Sequence, residues 1–151
     1  MSAPRDRGAR PTRGLYRWFK TVETRWEDND VFGHVNNAVY YSYYDTAINR
    51  WLIDEGGFDP FTSPCLDFTV ESGCRYHRSV AYPDVLDVGI RVGRLGTSSV
   101  RWEMALFRAG ENAAAADGHF VHVFVDRGTQ RPVPIPDGLR RRLASITADP
   151  C

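Results

Sequence analysis

The longest regular pattern of apolar positions runs from about Ala38 to Asp54. Tyr40, Tyr43, Tyr44, Ala47, Ile48, Trp51 and Leu52 recur at spacings of three and four, which predicts one broad buried helical stripe. At 1.5 Å per residue such a helix is about 25 Å long, enough to cross a sheet. Asn36 or Asn37 is a suitable N-cap, Gly56-Gly57 ends the helix, and Pro60 prevents its continuation. Before the helix, Leu15 to Trp26 is dense in aromatic and β-branched residues and reads as a strand.

After Pro64 the period changes to two. Leu66 to Tyr76 predicts a strand. In Val85 to Leu95 the apolar set Leu86, Val88, Ile90 and Val92 alternates with Val85, Asp87, Gly89, Arg91 and Gly93. Ser98 to Arg108 follows a turn at Gly96-Thr97. In Ala113 to Asp126, Phe120, His122 and Phe124 lie opposite Val121, Val123 and Val125. The prolines 132, 134 and 136 force an extended run, and Leu139, Leu143 and Ile146 suggest a short closing helix. A strand, a long helix and four sequential strands predict an α+β architecture: one helix packed on an antiparallel sheet of about five strands. One helix cannot cover both sheet faces, and strand edges remain open.

Composition narrows the classes. The 151 residues suit a single domain, read here as 15–147. Residues 1–14 contain four arginines, two prolines and two glycines without apolar periodicity, and read as a mobile tail or an arm touching a partner. The formal net charge is zero, which argues against non-specific nucleic-acid binding. Lys20 is the only lysine; arginine forks suit phosphates, although a compositional bias explains most of them. Cys65, Cys74 and Cys151 form no close pair, so a disulfide framework, a zinc site and any other metal site are not expected, and a reducing cytoplasm is the natural setting. No stretch approaches the roughly 18 apolar residues of a membrane span, and no apolar run follows the N-terminal arginines as a secretory signal requires.

The candidate chemistry lies in Thr24 to Asn37, between the first strand and the long helix. This stretch contains Asp28, Asp30, Gly33, His34, Asn36 and Asn37. A carboxylate there faces the positive end of a helix dipole, and free N–H groups of the first turn can hold a carbonyl oxygen. Such a site can perform acyl chemistry without a serine or cysteine nucleophile. Asp30 can equally cap a turn. If the strand continued, alternation would put Asp28 on the same side as Asp30.

The order Asp30-x-x-Gly33-His34-Val35-Asn36-Asn37-x-x-Tyr40 resembles the entry to the central helix of hotdog-fold acyl-CoA thioesterases, nearest the 4-hydroxybenzoyl-CoA thioesterase-like family. Gly96-Thr97-Ser98-Ser99 and Arg131 to Pro136 are also similar to that family, and order and spacing fit from about Tyr16 to Leu143. The resemblance implies a hotdog fold, an acyl-CoA substrate, no cofactor, and a homodimer or homotetramer. It implies that Asp30 is the catalytic carboxylate, as nucleophile or as general base on water, while the acid at Asp28 is structural. It implies that the Asn37 N–H polarises the thioester carbonyl and that Gly33 bends the chain.

His34 matches members with a His-Val-Asn-Asn form; it can orient water or the carboxylate, or be a buried histidine bonded to backbone. Ser98 and Ser99 are implied to lie near the acyl group, though a hairpin turn also explains them. Arg75, His77 and Arg78 can meet CoA phosphates or form a solvated strand end. Tyr40, Tyr41, Tyr43 and Tyr44 suit a core, a dimer interface or an acyl tunnel. His119 and His122 are off helical spacing, show no acidic partner nearby and suggest no metal. Rival functions are a thioesterase acting on acyl carrier protein, a hydratase of the same superfamily, and a non-catalytic acyl-CoA-binding protein.

Overall fold

The structure, a computed structural model, describes residues 9–148. Its strands are β1 (Trp18–Glu23), β2 (Cys65–Tyr76), β3 (Val85–Leu95), β4 (Ser99–Arg108) and β5 (Ala116–Asp126); its helices are α1 (Val39–Asp54) and α2 (Asp137–Ala144). The sheet is antiparallel throughout, in the order β1-β3-β4-β5-β2. β3, β4 and β5 form the expected meander. β2 does not join its successor: it pairs with β5 and forms an edge, with β1 at the other edge.

The α1 stripe is the one the spacing predicts: Tyr40, Tyr43, Tyr44, Ala47, Ile48, Trp51 and Leu52 are all buried. They meet the alternate residues of the meander. Leu86, Val88, Ile90 and Val92 of β3 and Val100, Trp102, Met104 and Leu106 of β4 belong to the same core cluster. Trp51 and Trp102 pack edge to face at 5.6 Å between ring centroids. The helix ends where a side chain no longer fits: a Cβ on Gly56 would meet the Leu52 carbonyl oxygen at 2.7 Å.

Two expectations are corrected. The first strand is shorter than Leu15 to Trp26, because short 3-10 turns at Arg13–Leu15 and Trp26–Asp28 bracket it. The stretch read as tail is docked from Arg10 onward. Arg10 donates to the Ala114 carbonyl at 2.8 Å, Arg13 pairs with Asp87 at 2.9 Å, and Thr12 bridges to Ala113. Residues 1–8, the rest of that tail, lie outside the described residues. Among the described residues, no helix is long and apolar enough to cross a membrane.

Removing the central ring of the stripe, Trp51→Ala, is expected to cost about 3–5 kcal/mol. Urea unfolding would register this as a lower midpoint with an unchanged slope; an unchanged midpoint would mean that α1 is not the core element described.

Candidate active site

The chain between β1 and α1 is ordered by one interior carboxylate. Asp28 is only 1% exposed. It accepts hydrogen bonds from the Tyr43 hydroxyl at 2.6 Å, the Arg25 amide at 2.9 Å and the Arg25 guanidinium at 3.0 Å. Burial alone would raise its pKa; the bonds from Tyr43 and Arg25 outweigh burial and hold it below the usual carboxylate value. The backbone follows: the Asn36 amide donates to the Asp28 carbonyl, and the Asp30 amide donates to the His34 carbonyl, each at 2.9 Å. Asp28 and Asp30 therefore do not share a strand face. The strand has ended at Glu23, and the two side chains enter different environments.

Asp30 is half-buried. One carboxylate oxygen accepts from the Phe32 amide at 2.9 Å, the other from the Asn36 side-chain amide at 3.2 Å. The turn-capping role is thus real, and it leaves lone pairs on both oxygens. Gly33 closes the turn at φ 82°, in the region that favours glycine; an added Cβ would meet open space, so conformation rather than room requires it. Neither Asn36 nor Asn37 is the N-cap the sequence suggests: α1 starts one residue later, with Ala38 at the cap position and no side-chain cap, and the Asn36 side chain accepts from the Ala38 amide at 2.9 Å in the turn before the helix. Among the described residues, the Asn37 N–H has no acceptor, and its carbonyl receives the Tyr76 hydroxyl at 2.8 Å.

Asp30, His34 and Asn37 line one cavity of about 340 Å³, together with Phe32, Tyr40 and the Tyr76 to Ser79 segment. His34 is exposed there, so the alternative of a buried, backbone-bonded histidine is corrected. Arg78 lies at the same cavity, 3.6 Å from Glu111 and half-exposed. Arg75 does not: it lies on the sheet face away from α1 and pairs with Asp117 at 2.9 Å. Ser98 and Ser99 also fall elsewhere. Ser99 begins β4 and Ser98 precedes it, whereas Ala116 opposite Tyr76 and Leu106 marks the cavity end of the sheet, about 23 Å along the strand.

Cys74 is no nucleophile, since burial pushes its thiol up. The histidines thought to lack acidic neighbours have them: His119 lies 3.0 Å from Glu71 and His122 lies 3.0 Å from Asp67. These pairings join strands that the sequence does not show as adjacent. No group of three or more metal-binding side chains occurs among the described residues. Sequence reading underestimated His77. It stands beside Arg78 in the cavity wall, and its Nε2 is 2.5 Å from Asp117 Oδ1, a partner 40 residues away.

A helix N-terminus, a free amide and a carboxylate around one cavity can support acyl chemistry. The comparisons agree. Residues 24–143 match the thioesterase-like superfamily. The chain belongs to that superfamily, of hotdog fold, whose reaction is thioester hydrolysis. It is 26% identical over 128 residues to the long-chain acyl-CoA thioesterase FadM of Escherichia coli K12, covering 83% of this chain and 96% of FadM. The solved PA5185 protein of Pseudomonas aeruginosa PAO1 is 47% identical, with a TM-score of 0.91 over 94% of this chain and 99% of that one. A thioesterase of Thermus thermophilus, solved with coenzyme A and zinc, is 31% identical, with a TM-score of 0.77 over 91% and 98% of the two chains.

Tyr43→Phe is expected to cost about 1–3 kcal/mol at neutral pH, because a buried carboxylate loses a donor. The pH dependence has a definite sign. Asp28 is depressed in the folded state, so its contribution is full above the unfolded value near 3.8 and is lost as pH falls below it. Tyr43→Phe should therefore flatten the loss of unfolding free energy as pH falls through and below the ordinary carboxylate range; an equally steep loss would show that Tyr43 does not hold the charge.

Proposed function

We propose that the protein is an acyl-CoA thioesterase that hydrolyses an acyl-CoA to a free acid and CoA, with Asp30 as its working carboxylate. The observation that carries this is the Asp30 carboxylate and the unengaged Asn37 N–H on one cavity at the start of α1. The amide, strengthened by the helix dipole, would hold the carbonyl oxygen as it gains charge. The carboxylate would attack the carbonyl carbon or take the proton of an attacking water. The thiolate is a good leaving group, because its conjugate acid has a pKa near 8.5. Gly33 would set the turn, His34 would orient the reacting groups, and Arg78 would meet a CoA phosphate at the mouth. FadM's naming as a long-chain acyl-CoA thioesterase and the CoA bound to the Thermus relative favour CoA over a carrier protein.

The reading includes a cytosolic homodimer formed along the β2 edge. Val70 is 61% exposed and Phe68 39% exposed beside a bulge between Thr69 and Glu71. A second β2 would satisfy the open hydrogen-bonding edge. Light scattering should then give twice the 17.1 kDa chain mass. Val70→Lys, which puts a charge on the edge, should reduce it to one; a monomeric wild type would end the edge assignment.

Thiol release from short, long and aromatic acyl-CoAs tests the activity. Asp30→Asn, folded by circular dichroism, is expected to lose about a hundredfold or more, the scale of a lost catalytic group. No turnover by the wild type would leave an acyl-CoA-binding protein. Equal turnover by the variant would reduce Asp30 to a turn cap.

A further inference from the structure

Resting on the thioesterase reading, we infer that His77, held by Asp117, is a second catalytic group: the base that activates the hydrolytic water. Three observations carry it. First, His77 lines the cavity that contains Asp30 and Asn37. Second, its ring is fixed. The His77 and Arg78 amides both donate to the Ala115 carbonyl, at 2.8 and 3.0 Å, and Nε2 meets Asp117 Oδ1 at 2.5 Å. The His77 side chain is nine-tenths buried. Third, its other nitrogen is open. Among the described residues no group bonds Nδ1, and that atom is not among those sealed in the core without a partner.

The tautomer follows from the partner. A carboxylate accepts, so the proton sits on Nε2 and Nδ1 carries the lone pair, which has no partner among the described residues. Asp117 is itself held from its other side, where Oδ2 accepts from Arg75 Nη2 at 2.9 Å. Arg75, although outside the cavity, thus supports a group inside it. Asp117 is a positioning residue: it orients the ring and stabilises the imidazolium formed when Nδ1 takes a proton. The exposed His34 makes no ring hydrogen bond among the described residues and is not oriented in this way.

With a separate base present, Asp30 acts as the nucleophile. An Asp30 oxygen bonds to the acyl carbonyl carbon, the C–S bond breaks, and its electron pair leaves on the CoA sulfur as thiolate. The product is a mixed anhydride, in which Asp30 can no longer accept a proton. Water then attacks the acyl carbonyl carbon and His77 Nδ1 takes its proton. The anhydride C–O bond breaks, Asp30 departs as carboxylate, and the free acid forms. The imidazolium returns its proton to the thiolate or to solvent.

Rapid-mixing measurement of thiol release separates the two steps. The wild type should turn over without accumulating an intermediate. His77→Gln should release about one thiol per site in a fast burst, followed by turnover lowered about 10²–10⁴-fold, the scale of a lost general base. Asp117→Asn should show the same burst with a smaller loss, a signature that general loosening of the fold would not give. The dyad assignment falls if His77→Gln turns over like the wild type, or if its first thiol is already slow. It also falls if neither variant folds, since the pair would then be structural. A wild type that cleaves no acyl-CoA fails the thioesterase reading itself, and the dyad with it.

Discussion

Burying a carboxylate without partners is costly, and the way this chain offsets that cost at Asp28 determines where everything around it lies. Tyr43 comes from the second turn of α1, Arg25 from the end of the β1 connection, and both converge on one side chain. The loop is thereby tied to the helix it precedes. With Asp28 fixed, its carbonyl receives the Asn36 amide, and the turn from Asp30 to His34 has one way to close. Two aspartates, two residues apart, acquire opposite roles from their surroundings. The inner one has its acceptor capacity taken up by Tyr43 and Arg25. The outer one has a single neutral donor on each oxygen and a cavity in front of it.

The opposite wall of that cavity depends on a second constraint, the pairing of β2 with β5. Arg75 stands opposite Asp117 and Tyr76 opposite Ala116. That register delivers the segment after β2 to the start of α1, where the Tyr76 hydroxyl bonds the Asn37 carbonyl. Burial first, and then Cys74, raise the Tyr76 phenol, so it remains a donor throughout the working pH range. The cavity is therefore assembled from two separate stretches of the chain by two independent fixings: a buried ion at the helix entry and a strand register at the sheet edge. A one-residue slip in that register would turn every β2 side chain to the other face.

Much of this was legible in the sequence, because local periodicity fixes which side of an element is buried. The α1 stripe and the alternation of β3 and β5 were readable from spacing; that Phe120, His122 and Phe124 are the inward set of β5 came from the structure. The motif from Asp30 to Asn37 was readable because its residues are neighbours in the chain. What spacing could not supply was long-range pairing. His77 looked like part of a basic strand end, since nothing near it in sequence is acidic; Asp117 reaches it only through the β2–β5 register. The same blindness hid Glu71 beside His119 and Asp67 beside His122. Ser98 and Ser99 lie away from the Asp30 cavity within one chain, since a motif does not say at which end of a sheet it will fall.

Long-range pairing also accounts for the many arginines of a chain with zero net charge. On the face away from α1, Arg13 meets Asp87, Arg91 meets Glu103 and Arg75 meets Asp117, each within 2.9 Å. Arg13 also covers the Phe107 ring at 4.9 Å, and Arg91 covers the Tyr16 ring at 5.6 Å. These guanidiniums are committed to the fold, and Arg13 in particular docks the stretch leading into β1. Arg78 differs in kind. Its acidic neighbour is 3.6 Å away, it is half-exposed, and it stands at the mouth of the Asp30 cavity. A cation held this loosely retains most of its capacity to bond an incoming anion, whereas the paired arginines would first have to give up a partner. The count of arginines in the sequence thus says little about anion binding; at the Asp30 cavity it is the loose pairing of Arg78 that leaves a guanidinium available.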